Sequence, residues 1–255
     1  MRLRLIVATT AAALATLAFS SPAGANHSWG GYHWARTSNP FTVKLGDNVS
    51  STWDSALSTA SSDWSKSTVL DTTVVAGSVN PKTCKATTGM VQVCNSTYGN
   101  NGWLGIAGIS ITGGTHITKG YVKLNDTYFN TSTYNTPAWR ALVTCQEVGH
   151  TFGLDHQDEN FNNANLGTCM DYTSDPSTNQ HPNQHDYDEL VTIYAHLDST
   201  STVGQALPGA GAAAVGDNPA SWGKLVAGSA TKGFGIYVRD FGQGNLFVTH
   251  VFWAN

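Results

Sequence analysis

Apolar residues recur at helical spacing in three stretches of this chain and alternate with polar residues in several others. Trp53, Leu57 and Trp64 fall on one face of a first helix, and Ser51 followed by Asp54 resembles a capping box at its start. Trp139, Leu142, Val143 and Phe152 give a second helix its apolar face, and Pro137 suits its first turn. Tyr187, Leu190, Val191, Tyr194 and Leu197 form the stripe of a third. Asn183 is its cap, with Asp186, Asp188 and Glu189 in the first turn. Residues 26–49, rich in aromatics, predict a first strand. Runs at 72–76, 90–93, 103–111 and 116–124 predict further strands, separated by Gly and Asn turns. Near the end, 235–240 and 245–253 read as a hairpin across Gly242-Gln243-Gly244. One helix, several strands and then further helices make an α+β order with a mixed sheet. No internal repeat is visible.

Residues 1–25 read as a secretory signal. Arg2 and Arg4 precede an apolar run over 5–19, then small residues lead to cleavage after Ala25. The run is too short to span a bilayer, so no membrane association is expected after cleavage. Cleavage leaves 11 basic against 17 acidic residues, a net charge of −6. Without basic clusters there is no footprint for nucleic acid. The rest divides into a main domain at 26–199, a Ser-, Thr-, Gly-, Ala- and Pro-rich linker or loop at 200–220, and a C-terminal β extension at 221–255. So short an extension is marginal alone and is expected to pack on the main domain.

The chemistry concentrates in residues 145–156. A helix here sets Gln146, Glu147 and His150 together, with Gln146 and His150 four apart and facing the same way. Gly153 can take the left-handed conformation that ends a helix, which turns the chain so that His156 swings back. Two imidazoles beside a carboxylate are what a catalytic zinc site needs.

This stretch resembles the signature of metzincin zinc endopeptidases, matrixins among them: His-Glu-x-x-His-x-x-Gly-x-x-His. Glu147, His150, Gly153 and His156 match it in order, while Gln146 stands where the first His belongs. Residues 167–172 resemble the family's Met-turn, with Met170 in its place, and the likeness runs over about residues 138–172. The resemblance implies a mixed twisted sheet with an active-site helix, a Met-turn and a C-terminal helix, here with a small C-terminal hairpin added. It implies zinc held by His150, His156 and the group at position 146, with Met170 packed beneath. Glu147 would be the general base acting on metal-bound water to hydrolyse peptide bonds. Tyr172 resembles the tyrosine that in some metzincins reaches the metal or the developing oxyanion. Residues 121–125 resemble the edge strand that pairs with extended polypeptide substrate. A secreted, extracellular monomer is the expectation.

Gln146 leaves three outcomes open, because an amide oxygen is a poorer donor than imidazole. It ligates weakly; or Tyr172 or a histidine from outside, such as His116, His181 or His185, completes the set; or the site is empty. The last outcome would leave a catalytically impaired metzincin-fold protein acting as a secreted binding module. A small adhesin, with its tail as recognition element, would keep its fold when 206–255 are deleted. Export permits disulfides, and four cysteines allow three pairings. Cys84 and Cys94 bracket a short segment that reads as a hairpin. Pairing them leaves Cys145 with Cys169, a bond that would tie the active helix to the Met-turn. Structural Ca²⁺ is a further candidate for the Asp- and Asn-rich stretch 155–165, though no ligand register stands out there.

Overall fold

The structure is a computed structural model that describes residues 27–205 and 216–254. The secretory signal at 1–25, and residues 206–215 of the expected linker, lie outside the described residues.

The elements follow in the order β1 (His33–Trp34), β2 (Phe41–Asn48), α1 (Asp54–Trp64), β3 (Leu70–Ala76), β4 (Val91–Ser96), β5 (Trp103–Thr112) and β6 (His116–Asn125). Then come α2 (Asp126–Phe129), α3 (Pro137–His150), α4 (Gln184–Ile193), α5 (Pro219–Trp222), β7 (Lys224–Ser229), β8 (Phe234–Asp240) and β9 (Leu246–Trp253). This is an α+β architecture around one mixed sheet, whose strands run β3-β2-β4-β6-β5-β9-β8-β7, with β1 pairing onto β6. Pairs among β1, β2, β3, β4 and β6 are parallel, whereas those from β6 through β5, β9 and β8 to β7 are antiparallel.

Local sequence accounts for the helix that matters most. Thr136 is extended, and its side chain accepts the Trp139 N–H at 3.2 Å. Pro137 takes the first turn, where its missing N–H costs nothing. Leu142, Val143 and Val148 are then buried together with Leu57 and Trp64 of α1, Leu104 of β5 and Leu124 of β6. Trp64 Nε1 donates to the Cys145 carbonyl at 3.1 Å, which joins the two helices by a buried hydrogen bond. The sheet is covered on its other side as well. Ile106, Tyr121, Phe247, Val251 and Trp253 cluster with Trp222 and with the Cys84–Cys94 disulfide. With apolar groups on both faces, β5 is buried over nearly its whole length.

Three expectations change. Ser51 and Asp54 do not form a capping box: α1 starts from Trp53, which makes no side-chain cap, its indole bonding Asp126 instead. The stripe of α4 uses Leu190, Ile193 and Tyr194, while Val191 and Leu197 are exposed, because the helix stops at Ile193 and Leu197 lies beyond it. Residues 121–125 are not an edge strand, since β6 lies between β4 and β5 and pairs with both. The hairpin at the C-terminus forms as expected but continues the sheet, with β9 hydrogen-bonded to β5 from Trp103 to Ile111. Asn183 caps α4 in a reciprocal box with Asp186. Among the described residues no helix is long and apolar enough to cross a membrane.

Candidate metal centre

Helix α3 delivers Gln146, Glu147 and His150 to the interior, all within its last two turns. The chain leaves it at Gly153, where φ is +96° and an added Cβ would run into the Tyr32 carbonyl oxygen. That turn brings His156 back beside His150, with ring centroids 4.5 Å apart and planes nearly perpendicular. His150 Nδ1 donates to the Leu154 carbonyl at 2.9 Å, which fixes the tautomer and leaves Nε2 as the free donor. Asp155 Oδ1 lies 3.2 Å from His156 Nδ1. Burial raises the Asp155 carboxyl, but the hydrogen bond and charge of His156 outweigh it and hold the group below its usual range.

A third imidazole arrives from a part of the chain with no motif. His250, in the middle of β9, stacks on His150 with centroids 4.0 Å apart and planes 14° from parallel. Its ring is 6.2 Å from that of His156. The three rings and Glu147 are enclosed, with exposures of 1% for Glu147, His150 and His250 and 7% for His156. Burial depresses the imidazolium form of His150 well below its usual range, with the neighbouring His250 and His156 acting the same way. Burial pushes His250 down to about 3. These two rings are therefore neutral near pH 7 and carry ligand lone pairs. Burial raises the Glu147 carboxyl well above its usual range, against one backbone hydrogen bond from Ala107.

The sequence-derived residues fall around this cluster in different ways. Gln146 is fully buried, and neither its amide oxygen nor its nitrogen has a hydrogen-bond partner. Met170 lies under α3, close enough that a Cβ on Gly149 would sit 2.8 Å from its sulfur. Cys145 and Cys169 are bonded and join the helix to the Met170 turn. Tyr172 lays its ring against His156 at 4.2 Å and is itself packed by Phe161, Phe234 and Phe252. The outside histidines go elsewhere: His116 to Asp198, His181 to Asp63 at 2.6 Å, and His185 onto the ring of His27. In the stretch 155–165, both Asp158 oxygens accept hydrogen bonds from Asn160 and Asn163, and nothing supports calcium.

The residues present fit a zinc ion. His156 Nε2, both ring nitrogens of His250 and Glu147 Oε2 are buried without a hydrogen-bond partner, a state that costs about 1–3 kcal/mol for each polar group. The donor atoms of the three rings do not all lie within 4.8 Å of one another among the described residues, so closing on an ion requires the rings to turn inward. His250 is the residue that sequence reasoning missed. Its one signal is an imidazole on the same strand face as Val248 and Phe252, both buried in the main core.

No protein-family model matches the chain, and no curated protein matches it. Among solved structures it is similar to high choriolytic enzyme 1, a hatching enzyme zinc-protease from Oryzias latipes (medaka fish). That likeness has 10% identity and a TM-score of 0.34, and covers 64% of this chain and 94% of that chain. At that level it carries no inference about this chain's chemistry.

Proposed function

We propose that this protein is a secreted, zinc-dependent endopeptidase of metzincin-like design, in which His250 takes the ligand role left open by Gln146. The reading rests on one observation: buried imidazoles from α3, from the loop after Gly153 and from β9 come together, with Glu147 buried on the same helix as His150 and with three ring nitrogens and Glu147 Oε2 unpartnered. His150, His156 and His250 would hold the ion, a neutral nitrogen set suited to zinc. A zinc ion bound there supplies Lewis acidity to the scissile carbonyl and to water. Glu147 Oε2, with no other partner, then takes the proton of the attacking water and passes it to the leaving amine nitrogen. The carboxyl must be ionised for this, and a neighbouring dication lowers its pKa against the burial that raises it. Tyr172 holds the ring of His156 in place. An open cleft of about 600 Å³, lined by Asp158, Glu159, Phe161, Thr231, Lys232 and Phe234, borders this aromatic packing and offers polypeptide an approach. Purified mature protein should contain zinc and cleave denatured casein in a chelator-sensitive way. Cleavage that persists in Glu147→Gln would overturn the peptidase reading.

A second reading has its own observation. Residues 121–125 are enclosed between β4 and β5, β9 covers the far side of β5, and Glu147 and His250 are almost wholly buried. A zinc centre closed in this way would serve a metzincin-fold binding module without catalysis. Zinc bound at the three histidines with no cleavage of any polypeptide decides for it.

A further inference from the structure

A second constellation of imidazoles lies on other elements altogether. The parallel pairing of β1 with β6 sets His33 opposite His116, and their rings meet edge to face at 5.0 Å. The chain beyond α4 then brings His196 and Asp198 to the same place. His196 Nε2 is 3.1 Å from His33 Nε2, and Asp198 Oδ1 is 3.6 Å from His33 Nε2, 3.8 Å from His196 Nε2 and 3.2 Å from His116 Nε2.

His33 and Asp198 are each aimed by a partner behind them. His33 Nδ1 donates to the Gly31 carbonyl at 2.8 Å, so in the neutral ring Nε2 carries the lone pair. Asp198 Oδ2 accepts from the Arg36 backbone N–H at 3.2 Å and from Arg36 Nη1 at 2.9 Å, which turns Oδ1 toward the imidazoles. Arg36 is itself buried and fixed by the Tyr194 and His196 carbonyls. As the atoms stand, a neutral His196 with its proton on Nε2 donates to the His33 lone pair, and His116 in the same tautomer donates to Asp198 Oδ1; one cation could replace both hydrogens and draw these groups onto a single centre.

We infer that His33, His196 and Asp198, with His116 in the fourth position, form a second zinc-class metal site. Four donors at about 2.0–2.1 Å around a tetrahedral ion stand roughly 3.3 Å from each other. The separations of 3.1, 3.6 and 3.8 Å within the inner trio are close to that spacing before any rearrangement. Imidazole nitrogens with one carboxylate select zinc, or cobalt and nickel in its place, over calcium or magnesium. His116 and His196 are partly exposed, with side chains at 32% and 52%, which leaves the ion a route in from solvent. The ion would staple β1 and the start of β6 to the chain leaving α4, three segments that are distant in sequence. The donor atoms of His33, His196 and Asp198 all lie within 4.8 Å of one another, while His116, 3.2 Å from Asp198 Oδ1, would turn inward to close a structural site independent of the His150–His156–His250 centre.

The test uses the metal-free mature chain titrated with zinc against a chromophoric chelator, beside His196→Ala. The His196 side chain is half exposed and its contacts are with His33 and Asp198, so its loss spares the core. The unmodified chain should bind one zinc more than His196→Ala, and His250→Ala should retain the second-site equivalent. Thermal melting should show a smaller zinc-induced rise in His196→Ala. Equal stoichiometry and an equal rise in both proteins would overturn the site. Should His196→Ala fail to fold, His116→Ala is read instead: at least a tenfold loss of affinity for that equivalent supports the site, and no change refutes it. If the first centre binds no zinc, the difference of one equivalent remains, so the two assignments fail separately.

Discussion

His150 and His250 lie face to face, their rings 4.0 Å apart and 14° from parallel, although one ends helix α3 and the other sits in the middle of strand β9. The contact joins the chain's one recognisable motif to its C-terminal hairpin. It brings a buried imidazole from the hairpin onto the ring of His150.

His250→Ala should therefore weaken zinc binding at the first centre by more than the roughly 10–100-fold associated with losing an outer-shell partner. Adding Gln146→His to that variant should recover much of the loss, because Gln146 is buried on the same helix as His150 with both amide atoms unpartnered. Competition titration with a chromophoric chelator measures both. Equal affinity in the unmodified chain and His250→Ala would exclude His250 as a ligand.

Glu147→Gln should keep the zinc and lose the chemistry. General-base assistance contributes about 10²–10⁴-fold, so casein cleavage should fall by that range while metal content stays constant. Loss of zinc from this variant would assign the carboxylate to the ligand set instead.

Gly153→Ala should destabilise the fold by about 1–3 kcal/mol from backbone strain alone. The contact between its Cβ and the Tyr32 carbonyl adds to that cost, at a φ of +96° that alanine rarely adopts. Because this turn also returns His156, zinc affinity and thermal midpoint should drop together. A midpoint within a degree of the parent would contradict the placement of Tyr32.

Replacing Cys145 and Cys169 together by alanine should cost about 3.5 kcal/mol, the chain entropy the unfolded state regains when a loop between residues 24 apart in sequence is opened. Denaturant unfolding reads it directly. The Met170 turn would then be held under α3 by packing alone, and a loss below half a kcal/mol would show that packing suffices.

Deleting 216–255 should prevent folding, in contrast to what a detachable recognition tail would allow. The deletion removes Phe247, Val248, Val251 and Phe252 from buried positions and strips β5 of one of its two antiparallel partners. A truncated chain with native far-ultraviolet circular dichroism and a cooperative melt would refute this.

Local pattern carries much of this protein on its own. Thr136 and Pro137 start α3, Gly153 ends it, Asn183 caps α4, and Gly242-Gln243-Gly244 turns the last hairpin, because each depends on backbone conformations that the residues themselves favour. The spacing of Glu147, His150 and His156 is legible for the same reason: one helix and one turn suffice to bring them together. Strand partners are a different matter. Residues 121–125 and 245–253 both alternate as strands do, and nothing local says that the first is enclosed between neighbours or that the second lies along β5. Pairing is fixed by which apolar faces bury one another across the whole chain. So His250 beside His150, and His33 with His116, His196 and Asp198, were decided only when distant strands and the chain after α4 closed on the same core.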